Sequence, residues 1–156
     1  MPIRFDDAWE ELKRADHLIF VSLKYTRTVD VIRSIIIRLI NSIDEAVYGA
    51  LKKAEEAGKI DEVPSNIGIR LTRAKELYPG QGTSDMLEFY NHLKKLSRAK
   101  YDKIKEYRRH VTMIATIDKG EIVNVDIDLL KTYYEKTRAF LTFVKRMINE
   151  EKEETV

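Results

Sequence analysis

Apolar residues recur at spacings of three and four along several long segments of the chain. The most apolar of these segments runs from about Val29 to Ala57. Its apolar stripe is formed by Ile32, Ile36, Leu39, Ile43 and Val47. This spacing places side chains on one face of an α-helix, so the pattern predicts a largely helical protein. Ile37 and Ile40 lie off the stripe, and a helix that is apolar over a wide arc is buried on more than one side.

Polar stretches separate this helix from its neighbours in the sequence. A first helix ends near KYTRT, Lys24–Thr28, which predicts a break with Thr26 or Thr28 as the N-cap of the second helix. One continuous helix through this stretch is the alternative. A linker that contains Pro64 follows the second helix and argues against helix there. The amphipathic segment RLTRAKELY and the turn residues PGQGTSD come next, so we predict a short helix followed by a loop.

A third long helix is predicted from about Asp85 to near Ile117, and a fourth begins after Asp126, its cap. Four long helices, one short helix and short connections predict an all-α fold, an antiparallel helical bundle. Because ATI and EIVNV flank the turn DKGE, a small hairpin is the alternative for that part of the chain. The length of 156 residues fits one domain, so we assign residues 1–156 to a single domain with a charged, frayed tail at 149–156.

The composition excludes several classes of site. The absence of cysteine rules out disulfides, thiol catalysis and cysteine-based zinc sites. The three histidines, His17, His92 and His110, lack the spacing of a helical metal-binding pair, so we predict neither a metal nor another cofactor. The net charge of +2 creates no field over the whole protein that demands a polyanionic partner.

The sequence also bears on the compartment. The beginning, MPIRFDDAWEEL, has no long apolar stretch of the kind found in secretory signals. The most apolar stretch, VIRSIIIRLINSI, contains two arginines and is too short to span a bilayer. We therefore expect a soluble, cytoplasmic protein without a membrane partner. Its heavy use of lysine, glutamate and arginine resembles the composition of thermophilic proteins.

Positive charge is concentrated in one stretch, LKKLSRAKYDKIKEYRRH, from Leu93 to His110. It contains eight lysines and arginines but only two acidic residues, in a chain that is almost neutral. Tyr101 and Tyr107 lie between the basic residues. Basic side chains pair with phosphates and tyrosine rings stack on bases, so the stretch indicates RNA or a nucleotide as ligand. The alternative is a solvated helix face whose charge is offset by neighbouring acidic residues.

Within this stretch, helical spacing places Arg108 between Ile104 and Val111 on the inward-facing side. A buried guanidinium needs partners, because an unpaired buried charge is very costly. Arg108 therefore either holds a phosphate in a sheltered cleft or forms a structural network with a carboxylate such as Asp16 or Asp30.

The predicted break at Lys24–Thr28 carries cations and hydroxyls near a helix N-terminus, which favours anions. Capping together with ordinary surface charge explains the same residues equally well. If this break lies beside the YRRH segment, the two form one anion-binding pocket. The candidate ligand-binding residues are Arg27, Lys105, Tyr107, Arg108, Arg109 and His110.

The order of elements resembles the HEPN superfamily of small all-α bundles, named for nucleotide binding in higher eukaryotes and prokaryotes. The resemblance rests on AWEELKRADHL, on IIRLINSIDEAVYGALKKAEEAG and on YRRHV with the later VDIDLLKTYYEKTRAFLTFV. It implies a helical bundle that dimerises and binds RNA or a nucleotide. Members with ribonuclease activity separate an arginine from a histidine by four to six residues, whereas Arg108 and Arg109 directly precede His110. The chain as a whole also resembles archaeal proteins, and that likeness implies no activity.

The leading hypothesis is a non-catalytic, HEPN-like domain that binds RNA or a nucleotide through the candidate residues, with Tyr107 stacking on or orienting the ligand. The first alternative is an interaction scaffold with structural arginines and a protein partner. The apolar region Ile35–Ile37 independently favours a homodimer. The second alternative is a divergent, metal-independent ribonuclease, in which His110 serves as acid and base and an arginine stabilises the phosphorane charge.

Overall fold

Helices account for most of the chain, as the apolar periodicity predicts. The structure is a computed structural model that describes the backbone of residues 4–154 and the side chains of residues 5–149. The first helix, α1, is α-helical at Arg4–His17, π-helical at Leu18–Ser22 and α-helical again at Leu23–Tyr25. The other helices are α2 (Val29–Glu56), α3 (Ile67–Leu77), α4 (Gln81–Arg98) and α5 (Ile127–Glu154).

A small antiparallel sheet lies between α4 and α5, so the predicted all-α fold is confirmed only in part, as a mostly helical one. Its strands, in spatial order, are β1 (Lys100–Ile104), β2 (Thr112–Thr116) and β3 (Ile122–Val125). The predicted third helix ends at Arg98 and does not reach Ile117. The hairpin alternative is confirmed, because β2 and β3 flank the turn at Asp118–Gly120.

The physical reason is the alternating burial of β2. Met113 and Ala115 are fully buried, whereas Thr112, Ile114 and Thr116 are not. This period of two suits a strand that covers a core on one face, and three of the five residues are β-branched. In so short a segment, spacings of three and four fit the same apolar residues, so a helix and a strand could not be distinguished.

Two of the predicted helix boundaries are confirmed, whereas α4 begins at Gln81, inside the segment predicted to be a loop. The chain breaks after α1, and the Thr28 hydroxyl accepts a hydrogen bond from the Val31 amide at 3.4 Å, as an N-cap does. The Asp126 carboxylate accepts a bond from the Leu129 amide at 2.9 Å and caps α5. Helix α5 continues into the charged tail as far as Glu154, while residues 155–156 lie outside the described residues.

Helix α2 is the centre of the core and contacts every other helix. Ile35 and Ile36 are fully buried within this chain, whereas the Ile37 side chain is 46% exposed. The apolar character of Ile35 and Ile36 is therefore explained by contacts within one chain. Of the three isoleucines, only Ile37 has a side chain exposed for contact with another molecule. Within residues 4–154, no helix is both long and apolar enough to cross a bilayer.

Helices α4 and α5 are joined by a polar contact beside aromatic rings. His92 Nε2 lies 2.8 Å from the Tyr133 hydroxyl, and the Phe89 ring packs edge-on against the Tyr133 ring. Burial lowers the pKa of His92 below its ordinary value of 6.5, and Lys136 and Lys95 act in the same direction. Glu121 opposes them more weakly than burial. The folded protein therefore favours the neutral imidazole.

This pKa shift predicts a loss of stability in acid. As the pH falls below 6.5, the unfolded chain binds a proton at His92 more readily than the folded chain, so the free energy of unfolding falls. His92→Gln retains an amide that can bond to Tyr133 but does not titrate. Between pH 7.5 and pH 5.5, roughly the titration range of histidine, we expect the free energy of unfolding of wild type to fall relative to that of the variant. Urea unfolding at each pH measures both values. An unchanged difference would contradict the prediction.

Candidate functional site

Five of the six candidate residues lie in the loop between β1 and β2, residues 105–111. Two turns shape this loop: the Arg108 amide donates to the Lys105 carbonyl and the Val111 amide donates to the Arg108 carbonyl, both at 3.1 Å. Lys105 and Tyr107 adopt positive φ angles of 56° and 64°. A helix cannot contain these conformations, so the helical phase used to orient Arg108 does not exist here.

The inward orientation predicted for Arg108 is therefore wrong. Its side chain is exposed, as are those of Lys105, Tyr107, Arg109 and His110. Neither Asp16 nor Asp30 forms an ion pair with Arg108, which has no such partner among residues 5–149. A structural arginine–carboxylate network is absent from this part of the described chain.

The loop lies directly beside the break between α1 and α2. The Tyr107 amide donates a hydrogen bond of 2.6 Å to the Arg27 carbonyl. The two segments that the sequence shows to be rich in cations are therefore neighbours, which is the condition for a common pocket. Positive φ at Tyr107 orients its amide toward the break, and the ring itself is left 79% exposed.

A cleft of about 410 Å³ opens where these two segments meet the start of α5. We call it the basic cleft. Its cationic or titratable lining consists of Lys24, Arg27, Arg109, His110 and Lys131. Its apolar lining consists of Ile19, Phe20, Leu23, Val111 and Ile127, and its acidic lining of Asp128. The cleft thus combines a surplus of positive charge with an apolar floor.

The cations of this cleft are available to a ligand. Among the described side chains, no carboxylate lies within ion-pair distance of Arg27, Arg109 or Lys131. Arg27 is half-buried, so its guanidinium is partly shielded from water, and Arg109 is exposed. Electrostatic attraction to an anion is stronger in such a sheltered place than on an open surface.

The structure divides the candidate residues into two groups. Arg27, Arg109 and His110 come together in the basic cleft. Lys105, Tyr107 and Arg108 belong to the same loop but do not line the cleft. The candidates at the end of the loop are therefore the ones that face the break and α5.

Sequence reasoning missed Lys131 and Phe20. The Lys131 ammonium lies 5.6 Å from the centre of the Phe20 ring, which in turn packs edge-on against Tyr134 at 6.3 Å. The Phe20 ring is 48% exposed. The signal for Phe20 was present, because Phe20 directly follows Ile19, which faces the core, and so lies off the buried side of α1. Nothing in the sequence linked Lys131 to residues more than a hundred positions earlier.

The chemistry of this cleft suits a phosphate next to an apolar group. Arginine binds phosphate through two parallel hydrogen bonds, and lysine adds charge without strict geometry. The Phe20 ring and the apolar floor offer surface to a sugar or a base. Among the described residues, no group of three or more His, Asp or Glu side chains is arranged to hold a metal ion.

The contact from Tyr107 to Arg27 predicts the effect of two substitutions. Tyr107→Pro removes the donated N–H and forces φ to about −65°, so we expect a loss of roughly 1–3 kcal/mol in the free energy of unfolding. Tyr107→Gly keeps the N–H and adopts positive φ freely, so its stability should lie within about 1 kcal/mol of wild type. Denaturant unfolding measures both, and equal losses in the two variants would contradict this role of the backbone.

Comparisons were made with models of protein families, with curated proteins and with solved structures. None of the three yields a match to this chain. The resemblance to the HEPN superfamily therefore stays a prediction.

Proposed function

We propose that this protein binds a phosphate-bearing ligand, RNA or a nucleotide, in the basic cleft. The observation that carries the proposal is the convergence of Lys24, Arg27, Arg109 and Lys131 around one cleft without ion-pair partners among the described side chains. These residues come from three separate parts of the sequence. Because like charges held close together repel, such a grouping favours an anion between them.

The size and lining of the cleft support a ligand with both charged and apolar parts. Its volume of about 410 Å³ lies in the range of small-molecule sites. Arg27 and Arg109 bind the phosphate through hydrogen bonds, and Lys24 and Lys131 add positive charge. His110 would donate a further hydrogen bond. Phe20 takes the stacking role first given to Tyr107, because only Phe20 belongs to the lining of the cleft.

A HEPN-like relationship is part of this proposal. The mostly helical architecture supports it, whereas the sheet between α4 and α5 departs from an all-α bundle. Arg108, Arg109 and His110 lie in a loop between two strands. They are therefore neither at the spacing nor on the helix that the ribonuclease motif requires, which favours binding over cleavage.

The proposal predicts that Arg27→Ala/Arg109→Ala abolishes ligand binding. Each charge-assisted hydrogen bond contributes about 1.5–3 kcal/mol, so losing two lowers the affinity by roughly a hundredfold or more. Fluorescence anisotropy with labelled uridine monophosphate and with a short labelled RNA measures this loss. Wild-type affinity for the RNA should fall steeply as salt rises, because bound counterions are released from phosphates.

The matched control is Lys145→Ala/Arg146→Ala. It removes the same charge from exposed positions of α5, about 20 Å along the helix from Lys131. If the control weakens binding as much as the cleft variant, the interaction is a general effect of charge and the proposed site is wrong. If the RNA is cut and His110→Ala stops the cutting, the ribonuclease alternative replaces the binding function.

A dimeric scaffold is the second candidate, and one observation favours it. Val21 on α1 and Ile37 on α2 are apolar yet 41% and 46% exposed, and these two helices pack against each other. Val21, Phe20 and Arg38 also line a cleft of about 580 Å³ on this side of α1. Exposed apolar side chains on two packed helices suit contact with another copy of the chain.

This candidate predicts that wild type is a dimer and that Val21→Glu/Ile37→Glu is a monomer. Introducing charge into an apolar interface leaves that charge buried without a partner, which is strongly unfavourable. Light scattering coupled to size-exclusion chromatography gives the masses. Ile69→Glu is the control, because Ile69 is 54% exposed on a different helix, α3. A monomeric wild type, or a monomeric control, would exclude the interface.

A further inference from the structure

The folding of the basic stretch divides it between two places. Its second part contributes Arg109 and His110 to the basic cleft. Its first part lies at the end of α4 and the start of β1, where a separate cleft of about 630 Å³ opens. We call this the second cleft. Its basic lining consists of Lys94, Lys95, Arg98 and Lys100, and its other polar lining of Asn91, Thr116 and Asp118.

Not all of these cations are free. The Lys95 ammonium lies 2.6 Å from the Asp118 carboxylate, and the Lys94 ammonium lies 5.9 Å from the centre of the Tyr90 ring. Arg98 and Lys100 are exposed and form no ion pair among the described side chains. The second cleft therefore contains two cations without an ion-pair partner among the described side chains, Arg98 and Lys100, beside Lys94 and Lys95, which contact other side chains.

The register of the sheet places the two clefts at its opposite ends. Lys100 pairs with Thr116, and both line the second cleft. Ile104 pairs with Thr112, immediately after the residues Arg109–Val111 that line the basic cleft. A strand of five residues spans about 17 Å, so the two clefts are separated by roughly that distance.

One face of the sheet is largely open to solvent. Residues opposite one another in an antiparallel pair share a face, and Met113 and Ala115 are on the buried face. The other face carries Lys100, Asp102, Ile104, Thr112, Ile114, Thr116, Ile122 and Asn124. Ile104 is 40% exposed and Ile122 is 62% exposed, so neither is covered by a helix of the described chain.

We propose that a single-stranded nucleic acid occupies both clefts at once, with its chain crossing the open face of the sheet. This inference rests on the proposed function of the basic cleft and extends it by naming the substrate as a strand several nucleotides long. One phosphate binds Arg27 and Arg109, and another binds Arg98 and Lys100. Sugars and bases between them lie over Ile104, Ile114 and the threonines. Cations at both ends match the phosphates of such a strand, and the middle, which is apolar and hydroxyl-bearing apart from Asp102, suits its sugars and bases.

A duplex fits this surface less well. The backbone of a duplex is stiff, and its bases face one another, so they cannot contact the sheet while phosphates enter two separate clefts. A single strand bends between the two sites and exposes its bases. The chemistry shared by RNA and DNA, the phosphodiester chain, is what the cations recognise.

The test compares ligands of different length on matched variants. The ligands are uridine monophosphate, oligouridine and oligodeoxythymidine, the last two with about ten nucleotides, a length typical of single-strand sites. The variants are Arg98→Ala/Lys100→Ala for the second cleft, Arg27→Ala/Arg109→Ala for the basic cleft and Lys145→Ala/Arg146→Ala as control. Anisotropy titrations at several salt concentrations give the affinity and its dependence on salt.

We expect both long ligands to bind wild type more tightly than the monophosphate. In Arg98→Ala/Lys100→Ala the monophosphate should bind unchanged, while the salt slope for both long ligands falls by about 1.4, since each lost contact with a single strand contributes roughly 0.7. The charge control should leave the slope unchanged. A parallel loss for RNA and DNA identifies the phosphodiester chain as the recognised group.

The two proposals fail in different ways. If the monophosphate binds through Arg27 and Arg109 but the long ligands bind no more tightly, or ignore Arg98 and Lys100, the inference of two clefts is overturned and the proposed function stands. If the long ligands depend on Arg98 and Lys100 alone, both the function proposed for the basic cleft and the inference of two clefts are wrong. If wild type binds none of the ligands, both proposals fall.

Discussion

The burial of α2 is the constraint on which the rest of the structure depends. This helix is apolar on several sides, and Ile35, Ile36 and Leu39 are completely buried. A helix of this kind cannot face water, so α1, α4, α5 and the inner face of β2 must surround it. Once β2 covers the first turns of α2, the loop that precedes β2 lies beside the beginning of α2. The hydrogen bond from Tyr107 to Arg27 then becomes available, and the basic cleft follows from the packing of the core.

The same packing creates an electrostatic imbalance in a chain that is almost neutral. Cations from α1, from the loop and from α5 meet at one cleft that has Asp128 as its acidic lining residue. Mutual repulsion among them lowers the stability of the folded chain in the absence of a ligand. An anion that binds only the folded state reverses this effect and raises stability with the logarithm of its concentration once that exceeds its dissociation constant. The cleft is therefore a place where ligand binding and folding are thermodynamically linked.

The sequence allowed the helices to be predicted, because a long stripe such as that of α2 has one interpretation, whereas a five-residue strand has two. The error at β1 and β2 also affected the site: because α4 ends at Arg98, the orientation inferred for Arg108 from helical spacing had no basis. The sequence showed that the loop and the break would form one pocket if they were neighbours. It could not show that they are neighbours, because that depends on contacts between distant segments. Lys131 was missed for the same reason, whereas Arg27, Arg109 and His110 were identified from local charge alone.

The π-helical turn at Leu18–Ser22 has a consequence for the geometry of the basic cleft. Ala15, Ile19 and Leu23 are all buried. The eight-residue step from Ala15 to Leu23 exceeds two turns of an α-helix by about 0.8 residue, so in a regular α-helix Leu23 would be turned away from the side that Ala15 occupies. The wider π turn absorbs this surplus, so that Leu23 still faces the core. Without it, the end of α1 would be rotated by roughly 80–100°. Phe20 and Lys24 each follow a buried residue by one position. They line the same cleft because the π-helical turn accommodates one extra residue and keeps both side chains on the same side of α1.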